Sequence, residues 1–357
     1  MSEKTRLARR TCFGTGLIAL DLVTNINKDS AHQPWAGGSC GNVLTILSYL
    51  GWASYPIARL GTDAAAKVIA KDMISHDVIL QYVSFDKSVH TPIIVQRLFI
   101  ARDGTPTHRF FWTCPNCGSW LPRYSPIRLK DIQAICELTP TMDCFYFDRV
   151  SPASLKLAEA AKQKGALIVF EPSGIKDDPA FKKAIEICDV LKYSNERVKN
   201  SPYFVYESQV QLVVETLGAK GLRFRLRKNE KSGQWVLIPP FIVRNLKDTA
   251  GAGDWCTAGL IHMLTTPSKS PKRMSEKIIT DALRYGQALS ALNCGFEGAR
   301  GAMYGIQKSH FEKEVQLILD SNEASISTVD SFSSDVTNTP ECVCPACESG
   351  ESLANNG

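Results

Sequence analysis

Short apolar runs of strand length alternate along this chain with segments of helical period, and that order leaves few architectures open. The strand-length runs lie at Cys12–Ile18, Asp143–Phe147, Ala166–Phe170 and Gln211–Thr216. Apolar residues recur at helical spacing over Asn42–Leu50, Ala64–Ile74, Ser154–Lys164 and Pro179–Ile187. Such repetition predicts an α/β layer architecture with a central, mainly parallel sheet flanked by helices. One region departs from it. Pro92–Ile100 and Thr107–Trp112 are β-rich runs joined by "ARDGTP". The Asp-Gly suits a tight turn, so the pair reads as a hairpin, either an ordinary edge or a flap over a site. A helix is expected to follow Asp254 and to stop near Thr266-Pro267. Another should start around Ser275, carry Ile278, Ile279, Ala282, Leu283, Leu289 and Leu292 on its apolar side, and end by Gly295.

The 357 residues are 44% hydrophobic, enough for one large core. Lys and Arg number 41 against 36 Asp and Glu, and a net charge of +5 is too small to argue for a nucleic-acid partner. Ser321–Gly357 has six acids and no Lys or Arg, and is rich in Ser and Asp. The reading is a folded domain over 11–319 and a flexible tail over 320–357. No apolar run approaches the ~20 residues of a membrane span. The basic start "MSEKTRLARR" has no signal-peptide core after it. A cytoplasmic protein with no membrane partner is expected. Disulfides are not expected in that compartment. Cys12, Cys144, Cys188 and Cys294 stand singly in apolar contexts and read as small buried hydrophobes.

"DTAGAGDWCTAGL" (Asp248–Leu260) strips its side chains away just where a helix should begin. A helix start presents unpaired N–H groups and partial positive charge. With Ala250, Gly251, Ala252 and Gly253 leading in, an anionic oxygen could approach the backbone closely. Asp254 would then sit beside the anion, placed to take the proton of an attacking hydroxyl. That combination suggests phosphoryl transfer to an alcohol. Taken alone, the stretch also reads as a glycine-rich turn with Asp254 as a helix cap. The Walker sequence is absent, and "FGTG" (Phe13–Gly16) lacks the third glycine of a dinucleotide loop.

Four segments in order carry a resemblance. "DTAGAGD" resembles the C-terminal signature of the ribokinase-like (PfkB) carbohydrate kinases. "GGSCGNVLTILSYLG" (Gly37–Gly51) resembles their N-terminal signature, "ARLGTDAAAKVI" (Ala58–Ile69) their G-x-D-x-x-G, and "ETLGAKGLRFR" (Glu215–Arg225) their T-L-G-x-x-G. The resemblance implies a ribokinase-like fold with a small β-lid, here the hairpin at about 92–112, and transfer of the γ-phosphate of ATP to a sugar hydroxyl. By position, Asp254 matches the catalytic base and Gly251, Ala252 and Gly253 the anion hole, with Ala250 leading in. Asp21, Gly38 and Asn42 match substrate-binding positions, and Asp63 lies near them. Asp21 also reads as a strand-end turn residue, Asn42 as a helix cap and Asp63 as a structural turn. Thr216, Gly218 and Gly221 match the nucleotide-side loop. Asn293, in "NCGFEGARGAM", matches the segment bordering adenine, with helix C-capping as its rival reading. Asp248 falls where the family often holds a monovalent cation such as K⁺. The implied cofactors are ATP and Mg²⁺, and the implied substrate is a sugar or a nucleoside. The lid could pair with a second lid in a homodimer.

Two departures stand out. Where the family often has N-x-x-E near the phosphates and Mg²⁺, "LKYSNERV" (Leu191–Val198) places Ser194 and Arg197, with Asn195 and Glu196 out of register. Glu196 substitutes, or metal handling differs, or catalysis is weakened. The last opens the alternative of a sugar- or nucleotide-binding regulator. In G-x-D-x-x-G the last glycine is Ala66. Glu171, in "FEPSG", faces the phosphates or ends a strand.

The cysteine pairs lie outside the family pattern. "CPNCG" follows the hairpin and "CVCPAC" ends the chain's Ser/Asp-rich stretch. Cys-x-x-Cys at a Pro-containing turn is the knuckle spacing of tetrahedral zinc. Cys114, Cys117, Cys344 and Cys347 would form a Cys₄ Zn²⁺ site, with Cys342 an alternative ligand. A redox-active pair and free thiols are the other readings.

Overall fold

The computed structural model describes residues 9–25, 33–102, 104, 106–138, 142–174, 178–198, 210–228, 231–265, 274–325 and 343–348. Its main sheet has nine strands. Six are mutually parallel, in the spatial order Ala53–Pro56, Thr11–Thr15, Cys144–Phe147, Leu167–Phe170, Val190–Ser194 and Leu212–Thr216. Leu222–Lys228 and then Lys231–Ser232 and Val236–Ile238 extend it antiparallel. Helices cover both faces of a parallel sheet, so its strands read as continuous apolar runs. Successive residues still point to opposite faces. Cys144 and Tyr146 join one core with Leu167, Val169, Val190, Leu212 and Val214. Phe145 and Phe147 join the other with Ile168, Phe170, Leu191 and Val213. The single cysteines Cys12, Cys144, Cys188 and Cys294 are buried in this packing.

The helices follow the predicted segments closely: Ser39–Tyr49, Ala64–Ser75, Pro152–Gln163 and Pro179–Ile187. Ala252–Leu264 follows the glycine stretch, and Glu276–Asn293 starts at Ser275, whose side chain caps the Ile278 N–H. Pro267 lies outside the described residues. Lys308–Ser321 was not foreseen, although Phe311, Val315 and Ile318 line its buried side at helical spacing.

The lid is larger than the predicted hairpin. Ile93–Ile100 and Pro106–Phe111 do pair antiparallel, but Ala19–Asn25 and Gln33–Gly37 complete a four-stranded sheet with them. The apolar run read as Cys12–Ile18 therefore divides. Its first part is a central strand, and the chain then leaves the main sheet for the lid. Asp21 lies within a lid strand, opposite Trp35 and Ile94, rather than in a turn at a strand end.

The boundary set at 320 falls inside a helix. Beyond it, Glu323–Ala324 pair with Ile242–Val243, and Glu323 holds Arg244 in an ion pair. Most of the expected tail, Cys342 included, lies outside the described residues. No described helix is long and apolar enough to cross a membrane.

Candidate active site

In open parallel sheets, ligands meet the crevice beyond the carboxyl ends of the strands. Here Thr15, Phe147, Phe170, Ser194 and Thr216 end the parallel strands. Polar residues follow three of these ends directly: Asp148, Glu171 and Asn195. Asp148 and Glu171 follow fully buried apolar strands directly.

The glycine stretch delivers an open helix start at this edge. Ala252–Leu264 begins with Gly251 in the left-handed conformation at φ 73° and has no side-chain cap on its first turn. A Cβ on Gly251 would lie 2.1 Å from the Ala299 carbonyl oxygen. Only glycine fits both the backbone and the space. Gly253 is exposed, while Gly251, Ala252 and Asp254 are half-buried and Ala250 is buried. Replacing Gly251 by Ala should cost on the order of 1–3 kcal/mol and lower turnover by displacing the cradle. A thermal melt alongside a rate measurement checks this. An unchanged melt would remove the strain argument.

Asp248 shapes the approach. Its Oδ1 accepts from the Ala250 N–H at 2.9 Å, and its Oδ2 from the Gly298 N–H at 3.0 Å and Gln96 Nε2 at 2.8 Å. His108 Nδ1 stands 3.2 Å from Oδ1. Burial pushes this carboxyl up, but His108 and the two backbone donors outweigh it and hold it below the usual range. Gln96 and His108 are lid residues, so Asp248 ties lid to cradle. Both of its oxygens are engaged by protein groups, so this residue, expected beside K⁺, braces the loop it stands in. Asn293, expected at a base or ribose, is fully buried. Its Nδ2 reaches the Ala250 and Gly298 carbonyls and its Oδ1 accepts from the Ala302 N–H. It holds the same loop from behind.

Asp254 meets the Ser39–Tyr49 helix. Asn42 Nδ2 donates to its Oδ2 at 2.8 Å. Burial, then the nearby Glu171 charge, push the Asp254 carboxyl up to about 7, against Asn42, Lys192 and Arg197. Beneath the helix start lies a pair that sequence reasoning half missed. Lys192 Nζ contacts Glu171 Oε1 at 2.5 Å and the Gly253 carbonyl at 3.1 Å. Thr257 Oγ1 donates to Glu171 Oε2 at 2.5 Å. Burial would lower Lys192, but Glu171 foremost holds it raised. A lysine inside the strand "VLKYS" was itself the available signal, since a buried lysine needs a carboxylate.

Among the residues expected at the substrate, Gly38 starts the Ser39–Tyr49 helix at φ 79°. Its N–H reaches Asp21. A Cβ there would meet the Leu17 carbonyl at 2.5 Å. Asp21 is 7% exposed, and burial raises its carboxyl to about 7 despite the Arg300 charge. Arg300, buried against Ala36 and Asp72, was not singled out in the sequence. Asp21 Oδ1 and Asn42 Oδ1 are buried without a hydrogen-bond partner. Buried polar atoms are rarely left so without a ligand or water to meet them. Asp63 instead caps Ala64–Ser75 through Ala66 N–H and accepts from Thr91 N–H at 2.8 Å, a structural role.

Thr216, Gly218 and Gly221 surround a tight turn, Gly218–Lys220, at the far end of the same edge. Glu196 lies exposed on the short helix Asn195–Val198, directly after the strand ending at Ser194. Cys114, Cys117, Cys344 and Cys347 come together beside the lid. A 460 Å³ cleft opens between lid and sheet edge, lined by Leu17, Ile93, Trp112, Trp120, Tyr124 and Arg149 among others.

A family model described as "pfkB family carbohydrate kinase" matches residues 203–303. A fructokinase of Solanum tuberosum is 25% identical over 282 residues, which are 75% of this chain and 82% of that protein. The crystal structure of a fructokinase with bound ATP from Xylella fastidiosa superposes with a TM-score of 0.68 at 18% identity, covering 88% of this chain and 100% of that one. An aminoimidazole riboside kinase from Salmonella enterica, complexed with aminoimidazole riboside and an ATP analogue, gives 0.63 at 17% identity, covering 87% and 100%. The order of the motifs, the pfkB carbohydrate kinase match over 203–303 and the likeness to fructokinases agree with one another, and the fold is ribokinase-like.

Proposed function

We propose that this protein transfers the γ-phosphate of ATP to a hydroxyl of a sugar, with Asp254 as general base. What supports this most is the conjunction at Asp254: a carboxylate with a raised pKa stands in the first turn of an uncapped helix, hydrogen-bonded to Asn42. The unpartnered Oδ1 atoms of Asp21 and Asn42 suit substrate hydroxyls. The γ-phosphate would lie over Ala250–Gly253, where backbone N–H groups and the helix dipole favour negative charge. As the hydroxyl oxygen bonds to phosphorus, its proton passes to Asp254 and ADP leaves.

Mg²⁺ travels with the nucleotide and neutralises phosphate charge when bound. It takes few protein carboxylates, and the exposed Glu196 at the same edge would be the one to meet it, since both Glu171 oxygens are engaged by Lys192 and Thr257. Thr216, Gly218 and Gly221 would border the nucleotide. The replacement of N-x-x-E by Ser194 and Arg197 makes Glu196 the residue to test for metal dependence.

ADP release with Mg²⁺-ATP across fructose, other hexoses, ribose and a set of ribosides tests the proposal. Fructose comes first because the curated relatives are named fructokinases. The ribosides belong because a structural neighbour was solved with one. Turnover on one compound is expected. A folded protein that binds ATP yet turns over none would favour a binding regulator. Asp21→Ala should lower kcat/KM for the sugar by about 10–100-fold, since a hydrogen bond to a charged group contributes about 1.5–3 kcal/mol, with little change in KM for ATP. An equal loss for both substrates would place Asp21 in the scaffold instead.

A further inference from the structure

We propose that Cys114, Cys117, Cys344 and Cys347 form a structural zinc site that clips the chain's C-terminal segment onto the base of the lid. The four sulfur atoms lie within 4.8 Å of one another. Cys114 Sγ is 3.8 Å from Cys347 Sγ, and Cys117 Sγ is 3.8 Å from Cys344 Sγ. A tetrahedral zinc with Zn–S bonds of about 2.3 Å has S···S edges of about 3.8 Å. Disulfide sulfurs stand about 2.05 Å apart.

The backbone is shaped for the same purpose at both pairs. Each Cys-x-x-Cys folds into a tight turn: the Gly118 N–H bonds to the Cys114 carbonyl at 2.9 Å and the Cys347 N–H to the Cys344 carbonyl at 3.0 Å. The Ala346 and Cys347 N–H groups also point at Cys344 sulfur, and the Ser119 N–H and hydroxyl at Cys117 sulfur. Such donors stabilise thiolates, the form that binds metal. Cys114 and Cys344 are buried, and Cys117 and Cys347 are half-buried. The site is closed by four protein ligands with no position left for substrate, which marks a structural rather than a catalytic zinc.

Its position gives the clip a consequence. Cys114 comes three residues after the last lid strand, Pro106–Phe111, and the knuckle is bounded by a bridge between Thr113 and Trp120. Trp112 and Trp120 line the cleft between lid and sheet. Zinc would thus fix one wall of that cleft, using a segment that starts more than 200 residues away in sequence.

Metal analysis of the full-length protein, purified without chelator and passed through gel filtration, decides the matter. About one zinc per chain is expected, absent from Cys114→Ser and Cys347→Ser variants. The cluster thiols should resist a disulfide reagent in the native protein, and a mercurial that takes up the four thiolates should release the zinc to a colorimetric chelator. Hydrogen exchange should then rise together at 343–348 and 112–121. Four different results would overturn the proposal. They are a metal-free protein whose four thiols titrate at once, a native mass short of four hydrogens from two disulfides, iron in place of zinc, and zinc retained in both variants. The wild-type metal content and mass remain decisive if the variants fail to fold.

Discussion

Replacing Asp254 by Asn is expected to lower kcat by about 10²–10⁴-fold, while ATP binding survives. The amide keeps the shape of the carboxylate and can still meet Asn42, but it cannot accept a proton from the substrate hydroxyl. The pH profile carries a second signature. With its carboxyl raised to about 7, the unliganded wild type should gain kcat/KM as pH rises through about 7 and then level off. The variant's residual rate should lack that limb. Stability should move the other way. A carboxyl raised above its unfolded value makes the native state bind the proton more tightly than the unfolded chain does. Its contribution to stability is therefore lost as pH rises from about 4 through about 7. At pH 8 the Asp254→Asn protein should be more stable than the wild type by about 1–2 kcal/mol, a figure discounted for the partial exposure of the group. Loss of activity with gain of stability is the mark of a site held in tension. An inactive variant that is also less stable would point instead to a structural carboxylate.

The second large effect is expected at Lys192. It lies fully buried under the helix start, between Glu171 and the Gly253 carbonyl. Lys192→Met fills similar space but leaves the Glu171 charge uncompensated. Breaking one side of a buried pair costs about 3–5 kcal/mol. Chemical denaturation should read that loss directly. Lys192→Met/Glu171→Gln should recover much of it, because the orphaned charge goes with the lysine. Activity offers an independent readout. Glu171 raises the Asp254 carboxyl and Lys192 lowers it, so removing the lysine alone should shift the activity limb to higher pH. An unchanged limb would mean that the pair supports the helix without tuning the base.

The order of strands and helices was legible because burial on both faces of a parallel sheet imposes continuous apolar runs, and solvent on one side of a helix imposes a period. Pro179–Ile187 emerged with the bounds read from the sequence. The open, glycine-led helix start was legible too, because only glycine permits a left-handed backbone pressed against Ala299 at position 251. So were the cysteine knuckles, whose spacing is local. Other features depended on residues distant in sequence. The lid took half its strands from 19–37, since an isolated run cannot declare which sheet it will join. Asp248 was placed by resemblance beside a cation, and Asn293 at the nucleotide or as a helix cap; only the fold reveals their bonds to Gln96, Gly298 and Ala302. Lys192 and Glu171, 21 residues apart in the chain, become a pair only when their parallel strands lie side by side. Local spacing determined the elements and the chemistry each could offer. Tertiary structure alone decided which polar groups are spent on one another and which, like Asp21 Oδ1 and Asn42 Oδ1, are left buried without a partner, because a hydrogen-bonding group is satisfied by whatever folding brings within reach.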